Sequence, residues 1–166
     1  MNLTKQDQLI LEMVAFDKGM AKQIQHFIKV YDFARLLGQM EGLSACEQQV
    51  LETAAIVHDI GIRPSLDLYG DSVGKHQEEL GPAPARDMLQ RLQYTEEVID
   101  RVCYLVAHHH TYSHIEGKDY QLLVEADFLV NLYEDAEPED VVNHVEKNIF
   151  KSESGKKILR QMFLQK

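Results

Sequence analysis

Apolar residues recur along the chain at the three- and four-residue spacing of amphipathic helices, and no run alternates with the period of two that marks a half-buried strand. The pattern predicts an all-α fold, in which polar breaks separate the helices. The predicted helices are about Lys5–Phe16, Met20–Leu37, Ser44–Asp59, one from Lys75 interrupted at "GPAP", Thr95–His110, Asp119–Glu134, one opening at Pro138 and one ending near Phe163.

Three local signals set boundaries that the structure can test. Ser44 is followed three residues later by Glu47, the pattern of a capping box at a helix start. Gly38 is expected to end the second helix. The Gly-, Pro-, Ser- and Asp-containing segment 61–74 is expected to be a loop.

Size and composition point to one globular domain over residues 1–166. No segment is long and apolar enough to span a membrane, and the first residues lack the basic and apolar regions of a signal peptide. Cys46 and Cys103 form no C-x-x-C pair, and we expect both to be small core or near-core side chains. These features favour a cytoplasmic protein that has no membrane partner.

The charge balance narrows the class of partner. The chain has 17 Lys and Arg against 27 Asp and Glu, a formal net charge of −10. Because a strongly acidic surface repels a polyanion, no long nucleic acid is expected as a partner. A small phosphorylated ligand stays compatible, since a bound metal or a local basic cluster can outweigh the global charge.

Several ionisable residues fall on the apolar stripes of the predicted helices. The pair His58 and Asp59 ends the apolar segment in "AAIVHDIGIRPS". His26, His109 and Asp127 each align with Val or Leu residues at helical spacing. Burying this many ionisable groups requires a common partner, and a divalent metal would use the imidazole lone pairs and neutralise the carboxylates.

Each of these residues taken alone is better explained as a hydrogen-bonded core residue, so the metal hypothesis depends on their number. His76 lies early in a helix and could equally face solvent. His108 and His110 are ambiguous, although His110 shares a face with Cys103 and could point inward. The remaining histidines, His114 and His144, are interpreted as structural or solvated.

The ordered set His26, His58–Asp59 and Asp127 resembles the H…HD…D pattern of the HD-domain superfamily of metal-dependent phosphohydrolases. The segments "HFIKVYDFARLLG", "AAIVHDIG" and "VEADFLVNL" match its local surroundings. The chain also resembles the H…HD…H…H…D branch, in which "KHQEELGPAPARDML" and "VCYLVAHHH" supply two further histidines. The resemblance covers about residues 20–134, with C-terminal helices over 138–164, and implies an HD-domain helical bundle.

The resemblance implies a ligand set and a chemistry. His26, His58, Asp59 and Asp127 would hold one metal, and Asp59 would bridge to a second held by His76 and His109. His110 matches a further histidine of HD-GYP relatives. The implied cofactor is one or two divalent transition metals per chain, among Fe, Mn, Co, Ni and Zn. The implied reaction is hydrolysis of a small phosphorylated compound by a metal-bound hydroxide, with Asp59 as a catalytic residue.

Two basic residues near the motif are candidate phosphate clamps. Arg63 follows the "HDIG" segment and Lys75 precedes His76. Ordinary surface charge explains each of them at least as well. A nucleotide, a dinucleoside polyphosphate and a phosphomonoester are all compatible substrates, with specificity expected from segments 61–74 and 111–118, and the oligomeric state stays open.

Rival functions share the same residues. HD-GYP proteins carry a Lys after the "HDIG" glycine and a "GYP" segment after the histidines, whereas this chain has Ile62 and "TYSHIEG". A cyclic-di-GMP phosphodiesterase is therefore disfavoured. The alternatives are an HD-fold di-iron oxygenase, which would use the same ligands, and a metal-binding regulatory module without turnover.

Overall fold

The structure is a computed structural model that describes residues 2–165. These residues form ten α-helices and no strands. Their bounds are α1 Lys5–Phe16, α2 Ala21–Met40, α3 Ala45–Val57, α4 Ile62–Tyr69, α5 Gly74–Leu80, α6 Pro82–Arg91, α7 Glu96–Val106, α8 Lys118–Glu134, α9 Glu139–Asn148 and α10 Glu153–Phe163. The all-α fold expected from the hydrophobic periodicity is confirmed.

Side-chain caps start several of these helices, and the one at Ser44 is the capping box that the sequence predicted. Ser44 accepts from the Glu47 backbone N–H while the Glu47 carboxylate accepts from the Ser44 N–H, which completes the expected capping box. Thr4 and Asp7 form the same arrangement at α1. These caps satisfy backbone donors that the first helical turn leaves free.

The core lies where α2, α3, α7 and α8 pack together, with α3 in contact with the other three. Every residue of α3 from Thr53 to Val57 is buried, and the middle of α8 is buried almost all round. A helix that is buried on all sides can bring polar groups to the interior only where a partner meets them. This arrangement places His58 and Asp127 inside the bundle.

The structure corrects two helix boundaries. Segment 61–74, expected to be a loop, contains helix α4. Its proline, Pro64, is compatible with the helix because it lies in the first turn, where a proline costs no backbone hydrogen bond. Helix α2 continues through Gly38 to Met40, since Gly38 is buried against the Gln48 side chain and packing outweighs its low helix propensity.

Two smaller expectations also change. Helix α7 ends at Val106, so that the three consecutive histidines lie in the turn that follows. Cys46 is exposed on the first turn of α3, whereas Cys103 is buried as expected. Within residues 2–165, no helix combines the length and the apolarity needed to cross a lipid bilayer.

Candidate metal centre

Four helices deliver histidines and carboxylates to one buried position. Helix α2 supplies His26, the end of α3 supplies His58 and Asp59, the turn after α7 supplies His109, and α8 supplies Asp127. All five residues are buried, with exposed fractions from 0% to 8%. The structure thus brings together residues that are far apart in the sequence.

Two carboxylate oxygens face two imidazole nitrogens at nearly equal distances. Asp59 Oδ2 lies 3.2 Å from His26 Nε2 and 3.3 Å from His58 Nε2. Asp127 Oδ1 lies 3.1 Å and 3.4 Å from the same two nitrogens. Ligand atoms about 2.1 Å from a common ion are separated by roughly 3.0–3.4 Å, so these distances match a metal coordination shell.

The opposite nitrogen of each imidazole ring is held by an acceptor outside this group. Nδ1 of His58 donates to the Ala55 carbonyl, and Nδ1 of His109 donates to the Val106 carbonyl, each at 2.8 Å. Nδ1 of His26 donates to Glu134 Oε2 at 3.2 Å. Because Nδ1 carries the proton, the Nε2 lone pairs face the carboxylates, as metal-bound histidines require.

The donor set therefore fits a divalent transition metal. Three imidazole nitrogens and two carboxylates converge there, and neutral amide donors cannot balance two buried negative charges, so the site needs positive charge from a metal ion or from protons on the imidazoles. His26, His58 and Asp59 form one group whose ligand atoms all lie within 4.8 Å of one another.

A second such group shares Asp59 with the first. It consists of Asp59, His109 and His110. Asp59 Oδ1 lies 3.3 Å from His109 Nε2, while Oδ2 serves the first group. One carboxylate thus faces two sets of histidines, which is the arrangement of a bridging ligand between two ions.

The pKa values of the cluster follow from burial and from mutual contact. Burial by itself would lower the pKa of His26, but hydrogen bonds that the protonated ring donates to Asp127 and Asp59 outweigh it and raise the pKa to about 9. Burial would lower the pKa of His58 as well. The negative charge of Asp59 outweighs this effect and raises the pKa well above its ordinary value. Protons therefore compete with a metal for this site.

The carboxylates respond in the opposite sense. Burial would raise the pKa of Asp59, but the neighbouring His58 and the hydrogen bonds from His109 and His26 hold it well below its ordinary value. The pKa of Asp127 is lowered as well, by His26 and His58 against the effect of burial. Both groups are thus kept ionised and available as ligands.

His110 is in a different electrostatic position. Burial and the neighbouring His109 lower the pKa of His110 to about 4, so its ring is neutral at physiological pH. Its Nε2 lies 3.1 Å from Gln77 Oε1, and its backbone N–H donates to Glu78 Oε1 at 2.9 Å. A neutral imidazole is the form that can coordinate a metal.

Supporting residues that the sequence analysis did not single out orient the ligands. Gln23 Nε2 donates to Asp59 Oδ2 at 2.7 Å, and Asn131 Nδ2 donates to Asp127 Oδ1 at 2.9 Å. Glu134, which accepts from His26, also lies 2.8 Å from Lys29 Nζ. The spacing of Asn131 and Glu134, four and seven residues after Asp127, places them on one face of α8 and was the available signal.

Other predicted site residues lie elsewhere. His76 Nδ1 is 2.8 Å from Asp71 Oδ1, its ring stacks on Tyr69, and it belongs to neither ligand group. Arg63 Nη2 donates to the Lys18 carbonyl at 2.8 Å, and Lys75 is exposed. The roles of these three residues stay predictions.

The remaining histidines are consistent with structural or solvated roles. His108 Nδ1 donates to the Tyr104 carbonyl and its ring stacks on Tyr104. The Tyr120 hydroxyl lies 2.6 Å from the His108 carbonyl and also reaches that of Thr111, which fixes the histidine turn. His114 and His144 are exposed.

An all-helical bundle with a buried histidine–aspartate cluster at the junction of its central helices defines a class of metal-binding helical domains. The family model for the HD domain matches residues 24–161. The chain belongs to the HD-domain family, as the resemblance implied. No functionally curated protein shows significant sequence similarity to the chain.

One solved structure confirms the fold. The crystal structure of a predicted HD superfamily hydrolase from an uncultured Thermotogales bacterium aligns with 93% of this chain and 80% of its own. The TM-score is 0.63 and the sequence identity is 22%. At that identity the likeness concerns the fold alone.

Proposed function

We propose that this chain is a metal-dependent phosphohydrolase that acts on a small phosphorylated compound. The observation that carries the proposal is the position of Asp59, whose two carboxylate oxygens face separate histidine groups. Membership of the HD-domain family supports the same chemistry. Divalent ions bound there would supply Lewis acidity for activating water and for neutralising charge on a phosphoryl group.

The chain's own residues prepare the site in two ways. Asp59 and Asp127 are held ionised by their histidine neighbours, so that both offer negative oxygens to cations. Gln23 and Asn131 fix one oxygen of each carboxylate by an amide hydrogen bond. Such fixed ligands reduce the reorganisation needed when charge develops on the substrate.

We further propose one or two metal ions per chain, a cytoplasmic location, and no long nucleic acid as a partner. Two ions are favoured by the shared carboxylate of Asp59. The net charge of −10 favours exclusion of nucleic acid.

The test combines metal analysis with hydrolysis of p-nitrophenyl phosphate. We expect one or two equivalents of metal per chain and phosphate release that chelation abolishes. Asp59→Ala should lose metal and activity together, whereas Asp67→Ala, on the exposed face of α4, should keep both. Activity that survives in Asp59→Ala would contradict the proposal. Tightly bound iron with oxygen consumption and no phosphoester turnover would replace it with the oxygenase alternative.

A further inference from the structure

A small cavity opens over the candidate metal centre. Its volume is about 180 Å³, and His26, Asp59, Asp127 and His110 are among its lining residues. This volume is below the roughly 300–1,000 Å³ of sites that bind drug-sized ligands. The cavity therefore suits a ligand smaller than a complete nucleotide.

The N-terminal end of α2 brings positive charge to the cavity. The first turn of α2 contributes Lys22, which is the only lysine or arginine among the described residues that line it. Lys22 makes no ion pair within residues 2–165. The backbone N–H groups of residues 21–23 have no acceptor in the same part of the chain, and Met20 provides no side-chain cap. An unpaired ammonium at the positive end of a helix dipole favours an anion on this side.

The end of α8 brings negative charge to the same cavity. The last turn of α8 contributes Glu134, and the residue after it, Asp135, completes the rim. The carboxylates add to the negative end of the α8 dipole. A second or third phosphate would be repelled here, whereas hydroxyl groups could donate to these oxygens.

The aromatic rings that line the cavity among the described residues are the imidazoles of His26 and His110, and both belong to the candidate ligand groups, which leaves no free ring on which a nucleobase could stack. No Phe, Tyr or Trp lines the cavity in the part of the chain that the structure covers, and Ile62 is its one aliphatic residue. Base recognition generally uses stacking on such rings. Asn131, whose amide nitrogen is occupied by Asp127, instead presents a hydrogen-bond acceptor through Oδ1.

Resting on the proposed phosphohydrolase function, we propose that the cavity takes the monophosphate ester of a small molecule rich in hydroxyl groups. Its phosphate lies toward Lys22 and the first turn of α2, and its hydroxyls lie toward Asn131 and Asp135. Water adds to phosphorus as the bond from phosphorus to the ester oxygen breaks. The products are inorganic phosphate and the free alcohol, which receives a proton from water.

The first experiment compares kcat/KM for ribose 5-phosphate, AMP and ATP, which add a base and then two phosphates to one sugar phosphate. We expect kcat/KM for ribose 5-phosphate to exceed that for AMP at least about tenfold, because the base does not fit the cavity. ATP should have the lowest kcat/KM, because its additional phosphates are also repelled by the carboxylates. Asp135→Asn should improve ATP relative to ribose 5-phosphate. Glu139→Gln, an exposed acid on α9, should leave the ratio unchanged.

The second experiment measures binding of inorganic phosphate by calorimetry. Lys22→Gln should weaken it about tenfold, as expected for the loss of one charge-assisted hydrogen bond. Lys157→Gln, an exposed lysine on α10, is the matched control and should bind phosphate as the unmodified chain does. Equal phosphate affinity in Lys22→Gln and the parent would overturn the placement of the phosphate.

Failure of this inference and failure of the function are distinguishable. A chain that hydrolyses p-nitrophenyl phosphate but prefers AMP or ATP to ribose 5-phosphate overturns the substrate class and leaves the phosphohydrolase proposal standing. A metal-loaded chain that hydrolyses none of the four compounds overturns both.

Discussion

The Nε2 atoms of His26 and His58 lie 3.3 Å apart in the interior, although 32 residues separate them in sequence. Nδ1 of each ring donates, to Glu134 and to the Ala55 carbonyl, so both Nε2 atoms are left to bind a cation, which is a metal ion or, because the pKa of each ring is raised, a proton. Two lone pairs at this distance repel each other unless a cation lies close to both. This pair explains why an imidazole and a carboxylate end the apolar helix α3.

The contact between Glu134 and His26 predicts a mutation that acts on metal affinity. Glu134→Ala removes the acceptor that orients the His26 ring, and we expect the affinity for the metal to fall about 10- to 100-fold. Glu134→Gln keeps an oxygen acceptor and should lose less. The measurement is a competition titration against a chelator.

Glu137 provides the control for that prediction, since it is exposed three residues later. Glu137→Ala should keep the parent affinity. Parent-like affinity in Glu134→Ala would show that His26 is positioned without its carboxylate partner.

Gly61, the glycine of "HDIG", predicts a steric effect on stability. Its φ of −71° is open to any residue, so the constraint is space. A Cβ atom there would lie 2.3 Å from the backbone carbonyl oxygen of Gln77. Gly61→Ala must displace α5, and we expect a loss of about 1–3 kcal/mol in the free energy of unfolding, measured with urea.

Gly38→Ala is the matched control, because the atoms nearest to the added Cβ belong to the end of the Gln48 side chain and not to the backbone. That side chain can move, and alanine is the better helix former, so stability should change little. If Gly61→Ala were as stable as Gly38→Ala, close packing of α5 would not be the reason for the glycine.

Asp17 predicts a pH-dependent effect on stability. Burial raises the pKa of its carboxyl to about 6, a shift that Arg63 partly opposes and Asp59 reinforces, and one of its oxygens has no hydrogen-bond partner. In the unfolded chain the Asp17 carboxyl ionises at lower pH. Ionisation therefore destabilises the folded state fully above pH 6, and this destabilisation disappears toward pH 4. In protein that a chelator has freed of metal, Asp17→Asn should therefore raise the free energy of unfolding by about 2 kcal/mol at pH 8 and hardly at all at pH 4.

Asp7→Asn should lower the free energy of unfolding in the same series of urea titrations, which is the opposite of the effect of Asp17→Asn. Hydrogen bonds from Thr4 lower the pKa of Asp7, so its contribution is present at neutral pH and is lost as the pH falls through the folded-state value. A gain for Asp17→Asn that did not grow with pH would show that its carboxylate is compensated in the folded chain.

The helical class, the capping box at Ser44 and the burial of the ionisable residues could all be predicted from the sequence. These features depend on local spacing: three- and four-residue periodicity places His26, His109 and Asp127 on apolar faces whatever the topology. Proline and glycine signals were less decisive. Both Pro64 and Gly38 lie inside helices. Pro64 is tolerated because of its position in the first turn, and Gly38 because of the side chain that packs against it.

The sequence by itself determined that these ionisable residues fall on apolar helix faces, and from their number it predicted a common cation. Only the tertiary structure decided which atoms meet: the orientation of each ring, the sharing of Asp59 between two histidine groups, and the convergence of Lys22 and Asp135 on one cavity. Local periodicity fixes the face of a helix but not its neighbours. Those are set by how α2, α3, α7 and α8 pack, which depends on contacts between residues distant in the chain.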